Sequence, residues 1–314
     1  MRRYRTVLIL GLILVVAATA GVVVYQRIAR PSRAVLLLPE GNFLLYVNFS
    51  PAHFFDLSQM PLQSDPGYQD FLQQTGFHFE HDLDTIAVSQ HNPGDFDSES
   101  SAIFIGRFDQ DRLSNYLRKL SVSNESYADK TIYVIRNQSH LVRACMLDAN
   151  TIAVTNMQSA EPMHSIIDKS RNPRLIGNGP FLVENYYRHV PVGSLAWAMF
   201  RAPSAQGSEL PGGVNVDFLQ NTVSVASIRY TGSIRFRLEV FSQNEADAKR
   251  VVEAANTFLV LGRGATETLN PGGPDKDVKA VFDSIQVQEN GNRTVVTITI
   301  PQEFVQKMAA SMNH

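Results

Sequence analysis

A single apolar run near the beginning of the chain limits what the rest of it can fold into. Val7–Tyr25 comprises nineteen residues without a charge or a strongly polar side chain. At the rise of an α-helix this run is about 28 Å long, close to the roughly 30 Å hydrocarbon core of a bilayer. The run predicts a single-pass transmembrane helix, so the folded body has to be built from the residues that follow it.

A cleavable signal peptide is the alternative interpretation of the same run. A signal peptide needs an apolar core of only about 7 to 15 residues before a small-x-small cleavage site, and Ala18-Thr19-Ala20 would supply that site. The stretch Gly21–Tyr25 continues the apolar run past it, which favours a retained anchor over cleavage after Ala20. Residues 1–33 are therefore interpreted as a short basic tail, the membrane anchor and a basic flank.

The arginines around the apolar run bear on its orientation. They are Arg2, Arg3 and Arg5 before it, and Arg27, Arg30 and Arg33 after it. The positive-inside comparison is nearly balanced, because each side carries three. The first three lie on a tail too short to fold, so we expect a cytoplasmic N-terminus and an extracytoplasmic, periplasmic body. A body in the cytoplasm is the alternative that these charges leave open.

The charge of the body excludes some partners. With the six flanking arginines set aside, the body carries 22 basic and 30 acidic residues, a net charge of −8. An acidic body without a Lys/Arg cluster argues against binding of nucleic acid and against adhesion to anionic lipid. The single cysteine, Cys145, cannot form an internal disulfide. It lies in the strand-like run Leu141–Leu147, which predicts a buried thiol rather than a nucleophile.

The body contains the same order of secondary-structure signals twice. Pro39-x-Gly41 and Pro191-x-Gly193 each lead into an apolar run of strand length, because proline pre-sets a turn and glycine permits unusual backbone angles. Two further strands, a capped helix and a hairpin follow in each copy. The paired predictions are strands at Asp84–Val88 and Asn221–Val225, strands at Ala102–Phe108 and Arg235–Phe241, helices capped by Asp109 and by the box Ser242-x-x-Glu245, and hairpins within 131–147 and 284–300.

This order predicts an α+β fold with two similar, mainly antiparallel sheet-plus-helix subdomains that arose by internal duplication. Two unrelated α+β domains that share common strand and cap patterns remain the alternative. We place the first repeat at 34–170, with an insertion at Pro51–Asp82 that contains one helix. Asp65-Pro66 supplies the cap and first position of that helix, and Gly76 can end it. Residues 171–180 are interpreted as a linker and 181–314 as the second repeat.

The opening Pro39-x-Gly41-x-x-x-x-Tyr46-Val47 behind a single N-terminal anchor resembles a family of bacterial membrane-anchored proteins, the domains of unknown function of the DUF3352 type. The resemblance covers the opening and the general layout of the body. It implies an extracytoplasmic protein, and it carries over no catalytic residues.

The densest group of polar side chains lies in Phe77–Asp84. It contains two histidines and three carboxylates, which could in principle bind a divalent metal. His78 and His81 are three positions apart, so the HExxH arrangement is absent. We interpret the segment as a polar linker into the strand at Asp84. The scattered residues His53, His91, His140, His164 and His189 lie in no recognisable nucleophile context.

Three further segments contain residues that could form a phosphate-binding loop or a contact surface. The glycines of Gly262-Arg263-Gly264 and Pro271–Pro274 follow a predicted helix, so we interpret them as a loop rather than a phosphate cradle. Tyr186-Tyr187-Arg188-His189 is interpreted as a helix end that packs on its neighbour, with an exposed aromatic-basic contact patch as the alternative. No Gly-x-Ser-x-Gly or Ser-x-x-Lys motif occurs.

The sequence thus predicts a non-enzymatic binding or scaffolding module, with no catalytic, metal-binding or cofactor-binding residues. Its expected partners are membrane lipid, through the N-terminal helix, and a protein of the envelope. One alternative is a carrier of a lipid or other hydrophobic ligand near the membrane. A second alternative is an envelope hydrolase with a site assembled only in space, for which His78, His81 and Asp82 are the first residues to consider.

Overall fold

The computed structural model describes residues 30–50, 66–91, 99–137, 140–175, 177, 179–202, 209–210, 214–215, 217–269 and 276–304. The predicted anchor Val7–Tyr25 therefore lies outside the described residues. Within the described ranges, no helix combines the length and the hydropathy that a bilayer crossing requires. One compact unit begins at Arg33 and contains all the elements named below.

Twelve of the fourteen described strands form one antiparallel sheet. They are β1 Phe43–Asn48, β2 Leu83–Gln90, β3 Ser100–Gly106, β4 Ser121–Tyr127, β5 Lys130–Asn137, β6 His140–Asp148, β7 Thr151–Thr155, β8 Ala196–Arg201, β11 Val223–Tyr230, β12 Ile234–Phe241, β13 Gln286–Asn290 and β14 Arg293–Ile300. The two remaining strands, β9 Glu209–Leu210 and β10 Val214–Asn215, pair with each other. Across the large sheet the order is β13-β14-β12-β11-β8-β1-β2-β3-β7-β6-β5-β4.

The helices pack on both sides of this sheet. They are α1 Arg33–Leu37, α2 Pro66–Thr75, α3 Phe79–Asp82, α4 Gln110–Leu120, α5 Glu161–Arg171, α6 Phe181–Tyr186, α7 Glu245–Leu269 and α8 Lys276–Asp283, with 3-10 turns at Pro173–Leu175, Tyr187–His189 and Asp217–Leu219. Helices α1, α5 and α6 pack on the side of Leu44 and Met199, which we call the α5 face. Helices α4 and α7 pack on the opposite side, the α7 face, with Phe104 and Phe200. The predicted α+β class with a mainly antiparallel sheet is confirmed.

Strands from both predicted repeats meet at the centre of the sheet. β1 pairs with β8, so that Leu44 lies opposite Met199 and Tyr46 lies opposite Trp197. The core on the α5 face is continuous across this junction. It contains Ala34, Val35, Leu37, Leu38, Ile103, Ile166 and Ile167 from the first half and Leu182, Val183, Met199 and Val225 from the second. The two halves therefore share one sheet and one apolar core.

The first helix of the body includes Arg33, one residue before the predicted start of the first repeat at 34. Arg33, which we had assigned to the basic flank, is the first residue of α1, and its Nη1 lies 3.0 Å from Oδ2 of Asp148 on β6. Val35 and Leu37 are completely buried. Burial of aliphatic side chains is the main favourable term in folding, so α1 is part of the core rather than a connection to the anchor.

The two Pro-x-Gly turns precede β1 and β8, as predicted, but glycine is needed for a different reason in each. Gly193 has a φ of +79°, a left-handed conformation that glycine adopts at little cost. Gly41 lies against the neighbouring strand, and a Cβ atom there would come within 2.9 Å of the carbonyl oxygen of Gln90. Gly41 therefore permits a close approach of two strands, and Gly193 permits a turn.

Local signals set the helix ends, with one correction. Oδ1 of Asp109 accepts the backbone N–H of Arg112 at 3.0 Å, which confirms the predicted cap of α4. The predicted box Ser242-x-x-Glu245 is wrong. Helix α7 begins at Glu245, and Oδ1 of Asn244 accepts the N–H of Asp247 at 3.0 Å. The backbone N–H of Ser242, which the side chain of Glu245 would accept in such a box, instead donates to the carbonyl of Asn292 and continues the pairing of β12 with β14. The hydroxyl of Ser242 accepts no N–H from the described residues.

Other local predictions had mixed outcomes. Helix α2 spans Pro66–Thr75 and is followed by Gly76, whose φ is +70°, as predicted for a start at Pro66 and a stop at Gly76. The segment Gly262–Gly264, which we interpreted as a loop, lies inside α7, while Pro271–Pro274 lies outside the described residues. Strands β4 and β7, which were not predicted, extend the hairpin of the first half. Cys145 is buried, and burial raises the pKa of its thiol to about 11.

Candidate functional site

A buried carboxylate on the α5 face organises the polar side chains of the second half. Glu239 of β12 is 2% exposed. Its Oε1 accepts from Nε of Arg237 at 2.7 Å and lies 2.6 Å from Nη2 of the same guanidinium. Its Oε2 accepts from Nη1 of Arg293 on β14 at 3.2 Å. A buried charge is costly unless it is paired and hydrogen-bonded, and both oxygens of Glu239 meet that condition.

His189 completes this group from the 3-10 turn Tyr187–His189. Its Nδ1 lies 3.3 Å from Oε2 of Glu239, and its Nε2 accepts from Nε of Arg188 at 3.2 Å. One ring nitrogen thus faces an acceptor and the other faces a donor, which is the pattern of a neutral imidazole protonated on Nδ1. Burial lowers the pKa of His189, although the charge of Glu239 opposes that shift.

An open pocket of about 580 Å³ lies beside this group. Its lining residues are Tyr186, Arg188, His189, Asn221, Val223, Phe241, Ser242, Gln243, Asn290, Asn292 and Arg293. Aromatic carbon and polar donors therefore meet in one place. The aromatic wall is formed by Tyr186 and Phe241, whose ring centroids are 5.1 Å apart.

One side chain in the pocket has an unmet hydrogen-bonding need. Ser242 is 5% exposed, and its Oγ has no hydrogen-bond partner among the residues that the structure describes. A buried hydroxyl without a partner costs roughly 1–3 kcal/mol. A ligand could satisfy this hydroxyl if the side chain turned toward the pocket, which Arg188 and Arg293 also line.

Within the described residues, Ser242 and His189 are not arranged as a nucleophile and its base. An activated serine needs a base within hydrogen-bonding distance of its hydroxyl. The hydroxyl of Ser242 makes no such bond to any described residue, and the acceptor nitrogen of His189 faces Arg188 instead. Guanidinium and amide donors around an aromatic wall can hold an anionic group on a small polar molecule.

The aromatic-basic segment Tyr186–His189 packs on its neighbours, as predicted for a helix end. Tyr187 meets Trp197 edge to face at 5.7 Å, and burial raises its pKa to about 12. His189 lies 4.5 Å from the ring of Phe241. Arg188 is exposed, so the same segment also presents a cation at the pocket rim. Both interpretations of the sequence thus describe part of this segment.

His78 directly precedes α3 and His81 lies within it, with ring centroids 6.4 Å apart. Oδ2 of Asp82 accepts the backbone N–H of His78 at 2.9 Å, and Oδ1 of Asp82 pairs with Arg107 at 3.3 Å. Oε2 of Glu80 accepts from the hydroxyl of Tyr68 at 2.9 Å. Over the described part of the chain, no three His, Cys, Asp or Glu side chains are placed to share a metal ion.

The remaining histidines are scattered, as their sequence contexts indicated. His164 on α5 stacks on Tyr127, with ring centroids 3.8 Å apart. His91 lines a second open pocket of about 450 Å³ together with Glu40 and Arg201. His53 lies outside the described residues. Sequence reasoning gave His189 no special weight, because its partner Glu239 lies on a strand far along the chain.

The alternation of β12 was the signal that could have indicated this site. In a strand, every second side chain points to the same face. Within the predicted strand Arg235–Phe241, that rule groups Arg235, Arg237, Glu239 and Phe241, a set of three charged residues and an aromatic one. The second face of the same strand carries Phe236, Leu238 and Val240, of which Leu238 and Val240 pack with Val251 of α7.

No protein-family model matches the chain, and no curated protein matches it. Among solved structures, crystal form III of TP0453 superposes with a TM-score of 0.46 and 10% sequence identity, covering 90% of this chain and 99% of that chain. Crystal form IV of TP0453 gives a TM-score of 0.46 and 10% identity, covering 89% of this chain and 97% of that chain. The chemistry of the site therefore has to be argued from its own residues.

Proposed function

We propose that the protein is a non-enzymatic binding module whose ligand site is the pocket beside Glu239. The ligand is a small polar molecule that carries a carboxylate or a phosphate group. The observation that carries this proposal is the open pocket lined by two cationic residues, Arg188 and Arg293, beside Ser242, whose buried hydroxyl has no partner among the described residues.

Glu239, Arg237, Arg293 and His189, which we call the Glu239 group, together favour an anion in this pocket. Glu239 neutralises only part of the positive charge of Arg237 and Arg293, and His189 is neutral as its two contacts indicate. The exposed Arg188 adds another positive charge at the rim. Arginine suits such a role because its planar fork of N–H groups matches the oxygens of carboxylate and phosphate groups. The ligand therefore meets fixed donors that need little rearrangement.

The module works on the outer side of the membrane to which Val7–Tyr25 anchors it. The length and composition of that run support this placement. A protein of the envelope is the proposed macromolecular partner, and the net charge of −8 argues against nucleic acid. The resemblance to the DUF3352 type is compatible with this placement and adds no activity to it.

The two alternative functions have less support. A carrier of a hydrophobic ligand needs an apolar cavity between sheet and helices, whereas the two pockets described above are open and combine aromatic side chains with Arg, Asn and His. A hydrolase built on His78, His81 and Asp82 would need free carboxylate oxygens. In this group the oxygens of Asp82 are engaged by the N–H of His78 and by Arg107.

We also propose that the body is internally duplicated. β1-β2-β3 and β8-β11-β12 are each antiparallel meanders, and each is followed by a helix on the α7 face, α4 or α7. The strands after each helix return so that the last one, β7 or β14, pairs with the third strand of its meander. β1 and β8 run antiparallel beside each other, so a twofold axis perpendicular to the sheet at this point would relate the halves.

The binding proposal is tested by titrating the full chain in detergent with phenyl phosphate and with phenylacetate. These probes combine an aromatic ring with the two kinds of anionic group. We expect the wild type to bind at least one of them. Ser242→Ala should weaken that binding about fivefold, the value of one hydrogen bond, while leaving the fold intact because the hydroxyl has no partner to lose. Arg188→Gln should weaken it by a similar or larger factor.

Arg118→Gln provides the matched control, since Arg118 is exposed on α4 at the other end of the sheet. It should bind like the wild type. The proposal is wrong if the wild type binds neither probe, or if Ser242→Ala and Arg188→Gln both bind with unchanged affinity.

A further inference from the structure

The charged residues of the last four strands are distributed very unevenly between the two faces. On β11, β12, β14 and β13, the register places Arg229, Arg235, Arg237, Glu239 and Arg293 on the α5 face. On the α7 face of the same strands the only charged residue is Glu289. The α5 face of this region therefore carries a net charge of +3 within a body that is acidic overall.

Two of these arginines form a pair that costs free energy in the empty protein. Arg229 of β11 lies directly opposite Arg235 of β12, and like charges at opposite positions of an antiparallel pair repel each other. Among the residues that the structure describes, neither guanidinium makes an ion pair or a hydrogen bond. Glu239 does not relieve the pair, because its oxygens are taken by Arg237, Arg293 and His189.

A hydroxyl group stands next to this pair. Thr299 of β14 lies directly opposite Arg235 on its other side, so the three residues form one row across three strands on the same face. Arg235 is exposed, and Arg229 and Thr299 are partly exposed. Two guanidinium forks and a hydroxyl, all reachable from solvent, supply the donors that the oxygens of a phosphate group accept.

We propose that Arg229, Arg235 and Thr299 form a binding site for a phosphate group. The bound group would place its negative charge between the two arginines and replace their repulsion by attraction. This site is separate from the pocket beside Ser242: at about 3.4 Å per residue along β12, Arg235 is about 20 Å from Phe241 in the pocket wall. It does not depend on the function proposed for that pocket.

The phosphate group has two possible sources, free phosphate and the head group of a phospholipid. Urea unfolding of the full chain in detergent distinguishes them when it is repeated in sodium phosphate, in dihexanoyl phosphatidylglycerol and in sodium chloride of the same ionic strength and pH. We expect the unfolding midpoint of the wild type to be higher in one or both phosphate conditions than in chloride. A shift in phosphate alone indicates free phosphate, and a shift with the lipid alone indicates a head group.

The variants Arg235→Gln and Arg229→Gln give the decisive readout. In chloride, each should have an unfolding midpoint equal to or higher than that of the wild type, because the repulsion is removed. Each should also lose the stabilisation by phosphate, with an apparent affinity at least about tenfold lower. A purely structural arginine would behave in the opposite way, since its replacement would lower the midpoint in chloride.

Arg174→Gln is the control, because Arg174 is exposed and lies in the turn Pro173–Leu175, away from these strands. It should respond to phosphate like the wild type. The inference is overturned if neither phosphate condition stabilises the wild type beyond chloride. It is also overturned if the double variant Arg229→Gln, Arg235→Gln keeps the full response to phosphate.

Discussion

Oε2 of Glu239 lies 3.3 Å from Nδ1 of His189, and this contact joins the turn before β8 to the strand β12. The same carboxylate is bound by Arg237 on its own strand and by Arg293 on β14. One buried acid therefore connects three segments that are distant in the chain. Through His189 and Arg293, which line the pocket, a change at Glu239 reaches the pocket wall.

Replacing Glu239 by glutamine should destabilise the protein by about 3 kcal/mol, since removing one partner of a buried ion pair leaves the other charges without compensation. Urea unfolding of the full chain in detergent measures this loss. Glu289→Gln is the matched control, because Glu289 is exposed and lies on the other face of the sheet. It should change the free energy of unfolding by less than about 0.5 kcal/mol. Equal effects of the two substitutions would contradict a structural role for the Glu239 group.

The stability of the protein should depend on the ionisation of His189. Its pKa in the folded state is lowered from 6.5 by burial, so the unfolded state binds a proton more readily. The contribution of the neutral imidazole is therefore complete above about pH 6.5 and is lost as the pH falls through the folded-state pKa.

The comparison with His189→Asn isolates this effect, because Nδ2 of asparagine can replace Nδ1–H as a donor to Glu239 and does not titrate. The free energy of unfolding of the wild type minus that of the variant should decrease as the pH is lowered below about 6.5. If this difference instead grows on acidification, attraction to Glu239 outweighs burial and the pKa is raised.

The helix α1 should be indispensable for the body. Leu37 is completely buried, and truncation of a buried leucine to alanine costs about 2–5 kcal/mol. Leu37→Ala should lower the free energy of unfolding by that amount, whereas Leu175→Ala, at a position that is 55% exposed, should have little effect. A neutral result for Leu37→Ala in denaturant unfolding would mean that α1 is a connection rather than part of the core.

The start of α7 offers a test of the corrected cap. Asn244→Ala removes the acceptor for the N–H of Asp247 and should cost about 1 kcal/mol. Ser242→Ala should cost nothing or should stabilise the protein slightly, because it removes a buried hydroxyl without a partner. If Ser242→Ala were the more destabilising of the two in thermal unfolding, the capping box predicted from the sequence would be restored.

The sequence predicted local features well where a single residue type has a strong backbone preference. Asp109 caps α4, and Pro66 and Gly76 delimit α2. The capping box predicted at Ser242 is wrong because the backbone of Ser242 continues the pairing of β12 with β14. No local sequence pattern reveals that pairing. The loop predicted at Gly262–Gly264 is also wrong. Glycine disfavours a helix locally, but these residues lie inside a helix of 25 residues.

The repeat illustrates both the value and the limit of pattern matching. Aligning Pro39-x-Gly41 with Pro191-x-Gly193 equates Leu44 with Ala196. In the sheet Leu44 lies on the α5 face and Ala196 on the α7 face, as the pairing of Leu44 with Met199 requires. The order of elements was therefore predicted, but the residue equivalence was not, because the side-chain period of two makes a shift of one residue reverse the faces.

By itself, the sequence determined the α+β class, the order of most strands and helices, the acidic net charge and the apolar run Val7–Tyr25, since all of these follow from composition and local periodicity. Only the tertiary structure decided which charges meet. Arg293 lies far along the chain from Arg229, Arg235 and Arg237, yet strand pairing brings all four to one face. Long-range hydrogen-bonded register, rather than sequence proximity, thus created both the pocket at Glu239 and the proposed phosphate site.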